Sequence, residues 1–269
     1  MTVTASNITV VKSGTTLLDD VSFTAPAGHV TALIGPNGAG KSTLLSAIAG
    51  DEPPLRGSVS LDGVDAFTAD QRTLAQTRSV MLQDINVAFS FLVRDVVEMG
   101  RTPWSKTSDP ATDQAVVDAA LDIGGVTHLQ DRDVTTLSGG ERARVAFARI
   151  LAQQTPVVFF DEPTAAMDVR FQQRTLGTIR LLAEHGKTVI VVLHDLQAAA
   201  QYCDHFICLR EGRLVASGGR DDVYTDDVLS EVYNWPITVE RTANGIFVTP
   251  GREEITAGSS VLFGRTRNS

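Results

Sequence analysis

Apolar positions along the chain follow two rhythms: short solid runs, and longer stretches at helical spacing. "HVTALIG" (29–35) is an apolar run closed by a glycine, the pattern of a buried strand. "STLLSAIAG" follows and puts Leu44, Leu45 and Ile48 on one face, which predicts a helix. Gly50 ends that helix, and Pro53-Pro54 prevents its resumption. "GSVSLDG" alternates between bounding glycines and reads as a short strand of a smaller antiparallel sheet. From about Val87 to Ala152 helical spacing takes over, in "LVRDVVEMG", "TDQAVVDAALDIGG" and "GGERARVAFARILAQ". Strand character returns in "TPVVFFDEP" and "KTVIVVLHD", on either side of the helical "FQQRTLGTIRLLAEHG". "HFICLREGRLVASG" reads as a hairpin turning at Glu211-Gly212.

Strands alternating with helices around a helical block predict an α/β fold. The expected parts are a core with a parallel sheet, a small antiparallel β subdomain and an inserted α-helical subdomain. The corresponding boundaries are a core of 1–86 and 153–250, a helical subdomain of about 87–152, and a polar C-terminal tail at 251–269.

The chemistry starts in "LIGPNGAGKSTLL" (Leu33–Leu45). Between Gly35 and Gly40 stand Pro36, Asn37, Gly38 and Ala39, and Lys41, Ser42 and Thr43 follow. Glycines let successive backbone N–H groups turn inward as an anion nest, and the following helix points its positive end at the same spot. Lys41 is placed to neutralise outer phosphates, and the Ser42 hydroxyl to ligate Mg²⁺. "VVFFDEP" ends a strand in two carboxylates. Asp161 is a candidate Mg²⁺ ligand, and Glu162, pointing elsewhere, a candidate general base toward water. Taken alone, such a pair would more often cap the next turn; beside a phosphate loop the chemical reading prevails.

Composition narrows the setting. A chain of 269 residues suits one large domain or a core with an insertion, and 43% hydrophobic residues suffice for a sizeable interior. A net charge of −9 with no basic stripe argues against nucleic acid as the partner. Cys203 and Cys208 read as buried thiols in a reducing compartment, not a disulfide framework. No basic, apolar leader opens the chain and no apolar run reaches membrane length, so the expectation is a cytosolic chain without signal peptide.

"LSGGERARVAFARILA" (Leu137–Ala152), taken with the phosphate loop and "VVFFDEPTAAMD", resembles the ATP-binding subunits of ABC transporters, in motif order and spacing, to about Gly218. The resemblance implies a P-loop NTPase fold, ATP and Mg²⁺ as cofactors, and ATP hydrolysis coupled to transport. Ser138, Gly139 and Gly140 correspond to the signature that closes on nucleotide held by another subunit. A head-to-tail homodimer enclosing two ATP molecules follows. Gln83 matches the glutamine that reaches Mg²⁺ and water, His194 the switch histidine at the γ-phosphate, and Asp168 the loop crossing the dimer seam. By itself Gln83 would be a surface residue, His194 a structural side chain and Asp168 a helix N-cap before Val169. The aromatic residue that stacks on adenine in the family has no counterpart: Val10, Val11 or Lys12 stands there, so no adenine residue is assigned.

A chain without a membrane span needs a separate permease, implied here as a dimer, with an extracellular or periplasmic substrate-binding protein as an indirect partner. The expected place is the cytoplasmic face of the membrane, peripheral through the permease. Phe89, Phe91 and Leu92 cluster where the family docks that permease, although packing within the helical subdomain would explain most such side chains. "VRDVVEMGRTPW" resembles the ATPases of iron-siderophore, haem and cobalamin importers, and "VLSEVYNWPITVERTANGIFVTP" the haem branch. Haem import is the expectation, with siderophore or cobalamin import second. A soluble ABC-type ATPase of cofactor assembly is the rival of another class. A nucleotide-binding module without catalysis conflicts with Glu162 and His194 both standing beside Asp161.

Overall fold

The computed structural model describes residues 2–82, 90–243 and 245–252. Two long strands come first, β1 (Thr2–Lys12) and β2 (Thr15–Pro26), followed by β3 (Val30–Ile34) and helix α1 (Lys41–Ala49). β4 (Arg56–Leu61) and β5 (Val64–Asp65) lead to α2 (Gln71–Thr77) and β6 (Arg78–Met81). The helical stretch holds α3 (Val93–Glu98), α4 (Pro110–Gly124) and α5 (Gly139–Gln153). β7 (Val157–Asp161), α6 (Val169–Glu184), β8 (Thr188–Val192), α7 (Leu196–Tyr202), β9 (His205–Arg210) and β10 (Arg213–Gly219) follow. The described chain ends with α8 (Arg220–Val223), α9 (Asp226–Tyr233), β11 (Ile237–Thr242) and β12 (Gly245–Pro250).

The central sheet runs β10-β9-β3-β8-β7-β6, parallel except for the β9–β10 hairpin. Glu211 (φ 50) and Gly212 (φ 75) make the left-handed two-residue turn that such a hairpin favours. A second sheet, β2-β1-β4-β5, is antiparallel.

The solid apolar runs are buried on both faces, and alternation decides which core each residue serves. Val157 and Phe159 join the antiparallel sheet and α1, whereas Val158 and Phe160 face α5, α6, α7 and α9. α3 to α5 assemble a third apolar cluster of their own around Val97, Leu121 and Val145. They lie between β6 and β7, which are neighbours in the sheet, so the helical stretch interrupts the sheet's sequence without interrupting its pairing. Both cysteines are free and buried, and burial holds the Cys208 thiol up at about 12, which suits packing and not reactivity. No described helix is long and apolar enough to cross a membrane.

Candidate functional site

Topology assembles the site before any side chain is considered. β3, β8 and β7 are adjacent and parallel, so their carboxyl ends deliver three loops to one edge. β3 delivers the glycine loop, β7 ends at Asp161 and hands over to Glu162, and β8 leads to His194. Together they line a cleft of about 950 Å³. Asn37, Gly38, Gly40, Lys41, Ser42, Thr43, Glu162 and His194 all border it.

Two glycines of the loop are sterically required. A Cβ on Gly35 (φ 149) would stand 2.1 Å from the Leu209 carbonyl oxygen, and one on Gly40 (φ 97) would stand 2.9 Å from Leu18 Cδ2. Gly40 is also the N-cap of α1 and contributes no side-chain cap, so α1 presents its positive end to the cleft without an internal acceptor from that residue. Pro36 and Ala39 serve through their backbones: Ala39 N–H donates to Pro36 O (3.2 Å), and Ala39 O accepts from Gly212 N–H (3.0 Å).

Lys41 is almost fully buried. Its ammonium donates to the carbonyls of Gly35 (2.8 Å) and Pro36 (2.9 Å), which keeps it curled along the loop. Burial pulls its pKa below the usual lysine value, while Glu162 and Asp161 pull the other way.

Asp161 is also buried, and burial raises its carboxyl above the ordinary range, helped by the nearby Glu162 charge and opposed by a hydrogen bond from Ser42. One of its oxygens, Oδ1, has no hydrogen-bond partner. An orphaned carboxylate oxygen on a residue hydrogen-bonded to the Ser42 hydroxyl suits Mg²⁺, which takes few protein ligands and completes its shell with phosphate and water. No cluster of three or more metal-ligating acids, histidines or cysteines occurs among the described residues.

Glu162 adopts a left-handed backbone (φ 49), unusual for a non-glycine residue. Its carboxylate contacts His194 Nε2. A carboxylate and an imidazole thus face each other at the outer edge of the loop. They are placed to order a water and accept its proton beside a bound terminal phosphate.

Ser138 and Asp168 occupy a different neighbourhood, and neither lines the cleft. Ser138 caps α5 in a reciprocal box with Glu141. The Glu141 carboxylate accepts from Ser138 N–H and Oγ–H (2.8 Å each), and Ser138 Oγ accepts from Glu141 N–H (3.3 Å). Gly139 is open to its surroundings, while a Cβ on Gly140 would approach the Ala166 carbonyl to 2.9 Å. Asp168 caps α6 by accepting from Phe171 N–H (3.0 Å). The signature and the "TAAMD" turn are therefore packed together. Gln83 and Phe89 lie outside the described residues; Phe91 (39%) and Leu92 (43%) are exposed at the start of α3.

Sequence reading missed one wall of the cleft. Thr15, Thr16 and Leu17 at the start of β2, with Glu211 and Gly212, form it, and none is aromatic. Val10 is core, Val11 is exposed, and Lys12 pairs with Glu52 (3.3 Å). Only the Glu211-Gly212 turn carried a local signal, as a hairpin and not as a cleft wall.

Comparison with known proteins agrees with this geometry. The family profile described as ABC transporter matches residues 18–165. The hemin import ATP-binding protein HmuV of Rhodococcus jostii (strain RHA1) is 44% identical over 256 residues, covering 94% of this chain and 88% of that protein. The cobalamin import ATP-binding protein BtuD of Halobacterium salinarum (strain ATCC 29341 / DSM 671 / R1) is 41% identical over 253 residues, covering 93% of this chain and 64% of that one. Among solved structures, a dimeric ATP-binding cassette in a post-hydrolysis state with ADP and Pi superposes with a TM-score of 0.74 at 25% identity, covering 81% of this chain and 98% of the other. With the loop, the paired carboxylates and the signature helix in the family's order, and with relatives above 40% identity along most of its length, the chain belongs to the ABC transporter ATP-binding family.

Proposed function

We propose that this chain is the ATPase subunit of a haem importer. The glycine loop, Glu162 and His194 meet at one cleft from three adjacent strands, with Asp161 at the end of β7 hydrogen-bonded to Ser42, and this supports the ATPase part of the reading. The cargo rests on likeness to the R. jostii hemin import protein. Cobalamin import is the second reading, supported by likeness to the H. salinarum protein, and siderophore import stands beside it.

ATP enters with its phosphates on the loop formed by Gly35 to Thr43. The N–H groups at the start of α1 and the Lys41 ammonium, released from the Gly35 and Pro36 carbonyls, take up the negative charge. Ser42 and Asp161 would hold Mg²⁺, with Gln83 as a further ligand; the ion neutralises phosphate charge when bound. Glu162 accepts the proton of the attacking water. His194, freed from Glu162, contacts the γ-phosphate. Ser138, Gly139 and Gly140 of a second copy close the pocket with the helix end of α5, and Asp168 lies along the seam between copies. Closure is coupled to nucleotide because each γ-phosphate completes the interface.

The helical subdomain, about 87–152, offers exposed Phe91 and Leu92 to a permease helix. The chain thereby sits on the cytoplasmic face of the membrane, peripheral through a permease dimer, with a substrate-binding protein reached through that permease. Affinity capture from detergent-solubilised membranes tests this. The expected result is co-purification of a polytopic membrane protein, with haem uptake lost when the chain is removed and restored by wild type but not by Glu162→Gln. Capture of soluble assembly proteins alone, with haem uptake intact, would replace the proposal with the cofactor-assembly role.

A further inference from the structure

The segment after β10 shares the core of the ATPase fold instead of trailing from it. Tyr224, Leu229, Val232 and Ile237 are buried among residues of α7 and β9, and the Tyr224 ring meets Phe206 edge-on at 4.8 Å. It also contacts two segments that carry cleft residues, the phosphate loop and the start of α7 after His194.

The first contact is made by Tyr233, the last residue of α9. Its hydroxyl accepts the Gly35 N–H at 3.2 Å, across 198 positions of sequence. Gly35 is buried and already wedged against the Leu209 carbonyl, so its N–H has little access to water. The carbonyl of the same residue accepts from Lys41 Nζ at 2.8 Å. Tyr233, Gly35 and Lys41 thus form a short relay in which the tyrosine fixes the peptide plane that opens the phosphate loop.

The second contact lies behind His194. α7 begins at Leu196, two positions after that histidine. Tyr224 Oη–H donates to the Leu196 carbonyl at 2.8 Å. On the next residue, the Gln197 amide spans strand β12, donating to Ile246 O and accepting from Val248 N–H at 3.3 Å. Asp195 caps the same helix turn by accepting from Gln197 N–H at 2.8 Å and Ala198 N–H at 3.1 Å.

We infer that residues 220–243 and 245–250 act as an internal brace for ATP hydrolysis, in which Tyr233 positions the phosphate loop, while Tyr224 and the β12 backbone that holds the Gln197 amide position the turn that carries His194. This rests on the site reading above, with Lys41 binding phosphate and His194 sensing it. Loss of the first contact loosens the nucleotide's cradle, which is a binding defect. Loss of the second misplaces a group needed after binding, which is a turnover defect.

Tyrosine-to-phenylalanine changes remove each hydroxyl and leave each ring in the core. Equilibrium ATP binding and steady-state hydrolysis are measured on the full chain for Tyr233→Phe, Tyr224→Phe and Lys41→Ala, with thermal unfolding to confirm folding. Tyr233→Phe is expected to weaken ATP binding about tenfold, as for a buried donor left unpaired, while kcat at saturating ATP holds within about twofold. Tyr224→Phe is expected to lower kcat about tenfold and leave ATP affinity within about twofold. A general loosening of the fold would move both quantities together in both variants. That result, or no change in either while Lys41→Ala abolishes binding, overturns the brace. If Lys41→Ala binds ATP normally, the site reading itself fails.

Discussion

The phosphate loop and the signature are both glycine-marked helix starts, yet they are built differently. At α1 the capping residue is Gly40, with no side chain to satisfy the first N–H groups, and the charged Lys41 lies folded against its own loop. At α5 the capping residue is Ser138, and Glu141 already occupies the positive end as an internal anion. The first is left open for a ligand; the second is satisfied by its own chain until something displaces the carboxylate. The contrast fits the proposal that one copy cradles phosphate while a second copy completes the pocket.

Complementation breaks this comparison most severely. Glu162→Gln is expected to retain ATP binding and to lose hydrolysis by about 10²–10⁴-fold, the usual contribution of a general base. Ser138→Arg is expected to leave binding by a single copy intact while abolishing hydrolysis, because its defect sits on the partner-facing half. Mixing the two inactive proteins then yields heterodimers in which one pocket joins an intact Glu162 to an intact Ser138. Measured ATPase activity should return in the mixture. If each pocket is completed within one copy, mixing restores nothing.

The two halves also differ in how far sequence reveals them. The loop and Asp161-Glu162 are legible as local patterns at strand ends, His194 only through the family resemblance, and the parallel order of β3, β8 and β7 brings those ends together. Tyr233 is not legible: its partner Gly35 is 198 positions away, and a tyrosine ending an amphipathic helix looks like any core residue. Thr15, Thr16 and Leu17 carry no motif either, since they reach the cleft only because β2 crosses under the Glu211-Gly212 turn, where Asp19 N–H donates to Gly212 O at 2.9 Å. Asp168 shows the opposite case. Its local pattern predicts an N-cap, the structure makes it one, and the seam role proposed for it has no local signal.

A middle-sized effect is expected beside the cleft, at Asp161, where function and stability oppose each other. Asp161 is buried with one oxygen unpaired, and its carboxyl titrates above the unfolded value of 3.8. The folded state therefore holds a proton more tightly than the unfolded chain. Ionising Asp161 costs stability, and that cost is absent below pH 3.8 and complete once pH exceeds the raised folded value. Asp161→Asn should abolish hydrolysis yet stabilise the nucleotide-free protein by about 1 kcal/mol at neutral pH, a typical exchange of activity for stability. Thermal unfolding without nucleotide checks this: the gap between variant and wild type should close as the solution is acidified. A variant less stable than wild type at neutral pH would mean that Asp161 is held by partners that favour its charge.

The smallest effect sharpens the comparison at the signature. Hydrogen bonds from Ser138 hold the Glu141 carboxyl below the usual glutamate value of 4.5. Its capping contribution is therefore present above pH 4.5 and lost as pH falls through the depressed folded value. Glu141→Gln keeps an amide oxygen able to complete the box but removes the charge that an incoming phosphate must displace from the end of α5. The ATP concentration needed for dimerisation should fall, by about two- to threefold for one exposed charge at a helix end. Light scattering across an ATP titration reads this directly, in the Glu162→Gln background, where blocked hydrolysis is expected to hold dimers closed. A shift to higher ATP would mean that the Glu141 charge assists the closed state and does not compete for the same N–H groups.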